Sequence, residues 1–385
     1  MTKWFKKLAG KCTAILLGCF MSFCVAEVLI RLVKHQLFFS ENLILTPSTK
    51  VSYVPMEEPP DLGWLMARNV QQVFRHPNPY PLRNWERYVV TSTGPYGDRL
   101  TPNPWGLDLS LKAEPLLALG DSFTFGGEVN DEETWASHLQ AILRRPVINA
   151  GQSLYGLDQS ITFLENILEQ KHFSYVILSV TANSIRRTVQ PVLISRPWKK
   201  LKHRPYFRIV KGQLVEGQPV DLKKLENENI QSQLINKIRL LAGYSVLADL
   251  IFKNTHFRAW YGVSDTKDYL KYSSGEDPLL ISCAFLKKLK TLSETQHFSV
   301  LLIFQDPFND PKEFTEYPKE PLFQALASCA TALNLPQLKL SEDLKPIWES
   351  RPDLYQTLFF WKGHMTNHGN LWVAQKLAQV LKYKE

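Results

Sequence analysis

The feature that most constrains this chain is a series of short apolar runs alternating with stretches of helical periodicity. Leu116-Leu117-Ala118-Leu119, Val147-Ile148-Asn149, Tyr175 to Val180 and Ser299 to Phe304 are four such runs, with a weaker fifth around Leu338-Lys339-Leu340. Helical patterns fill Thr134 to Leu143, 157–170 (Leu157, Ile161, Leu164 and Leu168 on one side), 278–292, 321–333 and 369–382. A strand apolar on both faces needs cover on both faces, so the alternation predicts a parallel sheet between two layers of helices. In such sheets the ligand crevice lies beyond the carboxyl ends of the strands. The residues just past each strand are therefore the ones to read for chemistry.

Gly120-Asp121-Ser122-Phe123 follows the first strand, Asn149-Ala150-Gly151 ends the second, and Thr181-Ala182-Asn183 follows the third. Gly363-His364-Met365-Thr366-Asn367-His368-Gly369-Asn370 stands just before the last helix. A hydroxyl, a glycine N–H, an amide side chain and an imidazole would thus meet at one crevice. Acyl transfer from an ester needs that set: the hydroxyl attacks, the imidazole takes its proton, and the donors hold the oxyanion.

Leu119 to Gly126, Val147 to Gly151, and His364 with Gly369 five residues on resemble the sequence blocks of the GDSL/SGNH hydrolase family. Glu27-Val28-Leu29-Ile30-Arg31 and Asp61-Leu62-Gly63-Trp64 also resemble its membrane-anchored bacterial members. The similarity covers about 114–183 and 299–382. It implies a three-layer α/β/α flavodoxin-like sheet and an esterase or O-acyltransferase that uses no metal or other cofactor. It also implies Ser122 as nucleophile, His364 as general base and acid, and the Ser122 N–H, Gly151 N–H and Asn183 as the oxyanion hole. Taken alone, Ser122 would equally suit a helix N-cap. Asn183 would equally suit a turn, because the family's usual Gly-x-Asn-Asp reads Thr181-Ala182-Asn183-Ser184. His368 reads as helix-entry surface.

The family's aspartate, two or three residues before the histidine, is missing; Trp361 and Lys362 stand there. Its usual task is to fix the imidazole tautomer and stabilise the imidazolium, and a lysine does neither. Three readings follow. A backbone carbonyl orients His364, or another carboxylate substitutes, with Asp306 just past the fourth strand as the surrogate acid, or the chain binds its ligand without catalysis.

Lys3, Lys6, Lys7 and Lys11 precede fifteen uncharged residues, Cys12 to Ala26. Counted to Ile30, residues 12–30 span about 28 Å as a helix, roughly one hydrocarbon thickness. With Glu27 near the far interface, the lysine excess predicts a cytoplasmic N-terminus and an inner-membrane, single-pass protein whose C-terminal domain is periplasmic or extracellular. Cys24-Val25-Ala26 offers the alternative of a cleaved signal. Leu16-Leu17-Gly18-Cys19 is a poorer lipidation box, because Lys11 leaves too short an apolar stretch before it. A buried amphipathic helix of a cytosolic protein is the weaker alternative, because this segment has no polar face.

The predicted organisation is a membrane anchor or signal (1–35), an irregular lead-in with short strands packed on the main domain (36–113), and an SGNH-like domain (114–385). The last carries an insertion at about 184–276, a cap with a hairpin turning at Lys211-Gly212 and a long helix from Ser232 to Phe252. Cys283 and Cys329 fall on the apolar stripes of two predicted helices, as core residues or as a disulfide of an export compartment. The net charge of +8 favours an anionic partner, and residues 186–211 hold nine Lys or Arg with no acid. Since the topology opposes nucleic acid, this segment is expected to face an anionic membrane surface or glycan, or to be an ordinary solvated face. The substrate expected is an ester or acylated carbohydrate or lipid of the cell envelope. The competing class is a non-catalytic glycan- or lipid-binding envelope protein.

Overall fold

The computed structural model describes residues 2–33, 55–76, 87–104, 106–109, 113–195, 200–223, 245–247, 274–305, 321–359 and 364–382. The chain divides into two compact units, 1–50 with 194–201 and 221–271, and 51–193 with 202–220 and 272–385.

The larger unit begins with two short antiparallel pairs, β1 (Met56–Glu57) with β2 (Leu65–Met66) and β3 (Gln71–His76) with β4 (Arg87–Ser92). Then come β5 (Leu116–Gly120), α2 (Ser122–Phe125), α3 (Trp135–Leu143), β6 (Val147–Gly151), α4 (Leu157–Leu168), β7 (Tyr175–Val180) and α5 (Ala182–Arg187), the label α1 belonging to the N-terminal helix. The hairpin β8 (Phe207–Val210) and β9 (Gln213–Glu216) turns at Lys211 and Gly212, both at positive φ (51° and 78°), the two-residue turn that suits strand twist. After it follow α6 (Pro278–Thr295), β10 (Ser299–Phe304), α7 (Pro321–Ala332), β11 (Gln337–Lys339), α8 (Leu340–Ser350), α9 (Pro352–Leu358) and α10 (Asn367–Lys382).

Five strands form one sheet in the order β11-β10-β7-β5-β6, every pair parallel. That is the flavodoxin-like order, with the topological switch point where β5 lies between β6 and β7. Successive strand residues bury on opposite faces. Leu117, Leu119, Leu178 and Val180 pack with Ile161, Leu164, Phe285 and Leu326 of α4, α6 and α7. Leu116, Ala118, Ile177 and Ile303 pack with Trp135, Leu139, Val373 and Leu377 of α3 and α10. Both faces of β5 are fully buried, which is why its sequence carries no polar residue. The three-layer α/β/α expectation is met.

The lead-in is tied to the loop after β6. Trp64 is fully buried, its indole N–H donating to Ser153 O at 2.9 Å, while Tyr155 Oη donates back to Trp64 O at 2.6 Å. The Gln152 amide accepts from Met66 N at 2.9 Å and donates to Gly97 O at 2.8 Å. Cys283 and Cys329 form a disulfide between α6 and α7, with their Cα atoms 6.0 Å apart.

The smaller unit holds α1 (Thr2–Val33), of which Thr13–Val33 is 21 residues long with mean hydropathy 2.2, long and apolar enough to cross a membrane. Glu27 is not left to water. Its carboxylate pairs with Arg31 Nε at 2.7 Å and accepts from Ser245 Oγ, Val246 N and Leu247 N, each at 2.8 Å. Apart from 245–247, the helix expected from Ser232 to Phe252 lies outside the described residues.

Candidate active site

The site begins at the carboxyl end of β5. Gly120 has φ +148°, and a Cβ there would sit 2.5 Å from Thr124 Oγ1 and 2.9 Å from Ser179 Cβ. Only glycine turns the chain so sharply against β7. Asp121 is the N-cap of α2, its Oδ1 accepting from Phe123 N at 3.0 Å, so Ser122 is the first helical residue rather than the cap. Its hydroxyl is therefore not spent on capping, and its N–H has no partner among the described residues. Asp121 Oδ2 accepts from Thr181 Oγ1 at 2.7 Å and pairs with Arg187 Nη1 at 3.2 Å. Arg187 also donates to Tyr155 O at 3.1 Å.

The imidazole arrives from just before α10. Thr366 N donates to Leu358 O at 2.9 Å, and the Asn370 side chain accepts from Trp135 N at 3.0 Å and donates to Met365 O at 3.2 Å. These bonds lock the entry of α10 against α3 and α9. They place His364 Nε2 2.8 Å from Ser122 Oγ, across 242 positions of sequence. Phe123 meets the imidazole edge-on, ring centroids 4.7 Å apart at 61°.

Glu128 completes the relay. Its Oε1 lies 3.0 Å from His364 Nδ1, and its Oε2 accepts from the His364 backbone N–H at 3.3 Å. An ionised carboxylate only accepts, so Nδ1 carries the proton and Nε2 is left to accept from the serine hydroxyl. Burial works against the imidazolium, but the hydrogen bond and charge of Glu128, with the charge of Asp121, outweigh both burial and Arg187. The His364 pKa is raised above the ordinary 6.5.

Ser122 and His364 are thus brought together as expected. Asp306 and Lys362 lie outside the described residues, and the carboxylate at the imidazole is Glu128, which the sequence reading missed. Gly151 ends β6 where its missing Cβ would collide with Phe125 N and Thr124 C, so α2 packs directly on the strand. Its N–H, expected in the oxyanion hole, donates instead to Asn149 Oδ1 at 3.1 Å, while Asn149 Nδ2 donates to Thr124 O at 2.8 Å. Asn183 lies in the first turn of α5 rather than in a free turn, half-buried, with an amide N–H that donates to nothing among the described residues. His368 is exposed at the start of α10.

Part of the basic segment turns inward. Arg187 and Arg204 are buried, the latter paired with Asp158 and donating from Nε to Gln159 at 2.6 Å. Arg208 is exposed but pairs with Glu276 at 2.9 Å. Arg187 and Arg204 thus belong to internal contacts, and Arg208 to an ion pair at the surface.

The Gly-Asp-Ser turn at the end of β5, in a sheet of order β6-β5-β7-β10-β11 and with its serine against the histidine before the last helix, agrees with what the resemblance to the SGNH hydrolases implies. The fold is a flavodoxin-like three-layer α/β/α sheet. No protein-family model matches the sequence, and no curated protein matches it. Among solved structures, the chain is similar to a lipolytic protein of the G-D-S-L family from Desulfitobacterium hafniense (15% identity, 69% of this chain and 99% of that one, TM-score 0.33). It is also similar to the acetyl xylan esterase AlAXEase (14% identity, 69% and 98%, TM-score 0.38). A third is the psychrotrophic esterase EstA from Pseudoalteromonas sp. (14% identity, 70% and 97%, TM-score 0.36).

Proposed function

We propose that this SGNH-fold chain is a membrane-anchored serine esterase or O-acyltransferase acting through an acyl-serine on an ester of a cell-envelope carbohydrate or lipid. The observation that carries the reading is the continuous relay Ser122 Oγ to His364 Nε2 at 2.8 Å and His364 Nδ1 to Glu128 Oε1 at 3.0 Å. Ser122 Oγ attacks the ester carbonyl carbon while its proton passes to His364 Nε2. The carbonyl oxygen becomes an oxyanion assigned to the Ser122 N–H and the Asn183 amide, two donors with no partner among the described residues. The Gly151 N–H, spent on Asn149, is not a member of that pair. Collapse expels the alcohol, which takes the proton from His364. Water or a sugar hydroxyl then attacks the acyl-serine with His364 again as base, and the choice of acceptor decides between hydrolysis and transfer. Glu128 stabilises the imidazolium at each stage.

The alternative of a non-catalytic glycan- or lipid-binding protein rests on the missing aspartate, and Glu128 takes over that residue's task. Export is supported by the lysines before the apolar helix and by the Cys283–Cys329 disulfide, a bond that persists in oxidising compartments. The test is hydrolysis of p-nitrophenyl acetate by the full chain in detergent, wild type against Ser122→Ala. The wild type is expected to exceed the variant by about 10³-fold or more. Equal rates would contradict the proposal for acyl esters.

A further inference from the structure

The segment that carries Glu128 is braced from the lead-in by Arg99. Arg99 is completely buried, and its guanidinium donates to Phe125 O at 2.8 Å, Gly126 O, Val129 O at 2.6 Å and Val90 O at 3.2 Å. Its Nε pairs with Asp131 Oδ1 at 2.9 Å, and its plane lies 5.2 Å from the Phe125 ring centroid. The carbonyls of Phe125 and Gly126 stand before Glu128 and that of Val129 stands after it. One planar, rigid fork thus fixes both ends of the short arch that carries the carboxylate. The Arg99 backbone N–H donates to Asn149 O at 2.7 Å, in the middle of β6, so the same residue ties the arch to the sheet.

We propose that Arg99 is a positioning residue for the acyl-transfer site: its guanidinium sets the height of the 125–129 arch and thereby the reach of Glu128 to His364. The inference rests on the triad reading above. A lysine cannot replace it, because one ammonium presents three donors from a single point, whereas the guanidinium serves four carbonyls and a carboxylate from fixed directions. The Asp131 carboxylate, which also accepts from Ser92 N at 3.0 Å, anchors the fork from behind.

The test uses the full chain in detergent and the rate at which a fluorophosphonate labels Ser122 across pH. In that reaction the Oγ–P bond forms, the P–F bond breaks, fluoride leaves, and the hydroxyl proton goes to His364. Wild type, Arg99→Lys, Glu128→Gln and the double variant are compared, with folding checked by circular dichroism. Arg99→Lys is expected to lower the plateau rate at least about tenfold and to move the acid limb to lower pH. The double variant is expected to be no slower than Glu128→Gln alone, because both changes break the same link. A wild-type pH profile for Arg99→Lys, or effects that multiply in the double variant, would overturn the proposal. A Glu128→Gln profile identical to wild type would instead sink the triad reading beneath it. Should Arg99→Lys not fold, Asp131→Asn takes its place: the same displacement of the acid limb supports the proposal, and an unmoved profile overturns it.

Discussion

At the level of single residues, the carboxylate at the His364 imidazole stands six positions past Ser122 rather than two before His364. His364 must be neutral to accept the Ser122 proton, so activity rises with pH through its pKa. Glu128 raises that pKa, so the wild-type acid limb should lie above 6.5. Glu128→Gln keeps the size and removes the charge. The expected result is a drop in kcat of about 10²- to 10⁴-fold, with the acid limb moved down toward ordinary imidazole. An unchanged limb would separate Glu128 from the imidazole's titration. The meeting of Ser122 and His364 was legible because one stands where an apolar strand stops and the other where the last helix begins. Glu128 was not. Its partner lies 236 positions away, and nothing in hydrophobic periodicity reports a contact between two loops. The one local signal was Gly126-Gly127 directly after a four-residue helix, a place where the chain can double back. Arg99 was equally silent, because four of its partners are carbonyls, which have no sequence signature, and the fifth, Asp131, lies 32 positions away.

Among the elements, the inner strands β5, β7 and β10 were readable because burial on both faces leaves them almost wholly apolar, whereas the edge strand β11, Gln337-Leu338-Lys339, is only partly buried and gave the weaker signal. The helices α8 and α9 were not read. Pro346 inside α8 and Pro352 at the start of α9 look like breakers, yet Pro352 sits where its missing N–H costs nothing, and Leu340, Leu344 and Tyr355 bury one side. The end of β6 shows how tightly elements meet. Gly151 packs against the backbone of α2, so Gly151→Ala must push the nucleophile's helix away from the strand. Such overpacking costs about 1–3 kcal/mol, and the substitution should lower the thermal midpoint by several degrees and slow Ser122 chemistry together. Thermal unfolding followed by circular dichroism checks it. A variant with wild-type midpoint and rate would show that α2 does not rest on that residue.

At the scale of the whole molecule, the net charge of +8 pointed toward an anionic surface, but charge counted along the sequence does not reveal pairing. Arg187 and Arg204 find Asp121 and Asp158, carboxylates from outside the basic segment, and are buried with them. Removing one partner of such a pair leaves a stranded charge and costs about 3–5 kcal/mol, so these arginines are read as structural. Topology is the larger prediction. Alkaline phosphatase fused after residue 385 should be active under the proposed export, in which the lysines before the apolar helix keep the N-terminus cytoplasmic. An inactive fusion with intact membrane insertion would contradict export. The central claim, that Ser122 is a nucleophile armed by His364, is tested most directly by fluorophosphonate treatment of the full chain followed by peptide mass spectrometry. A single phosphonyl adduct on Ser122, lost in both Ser122→Ala and His364→Ala, is the expected outcome. An unmodified Ser122, or labelling indifferent to the loss of His364, would contradict it.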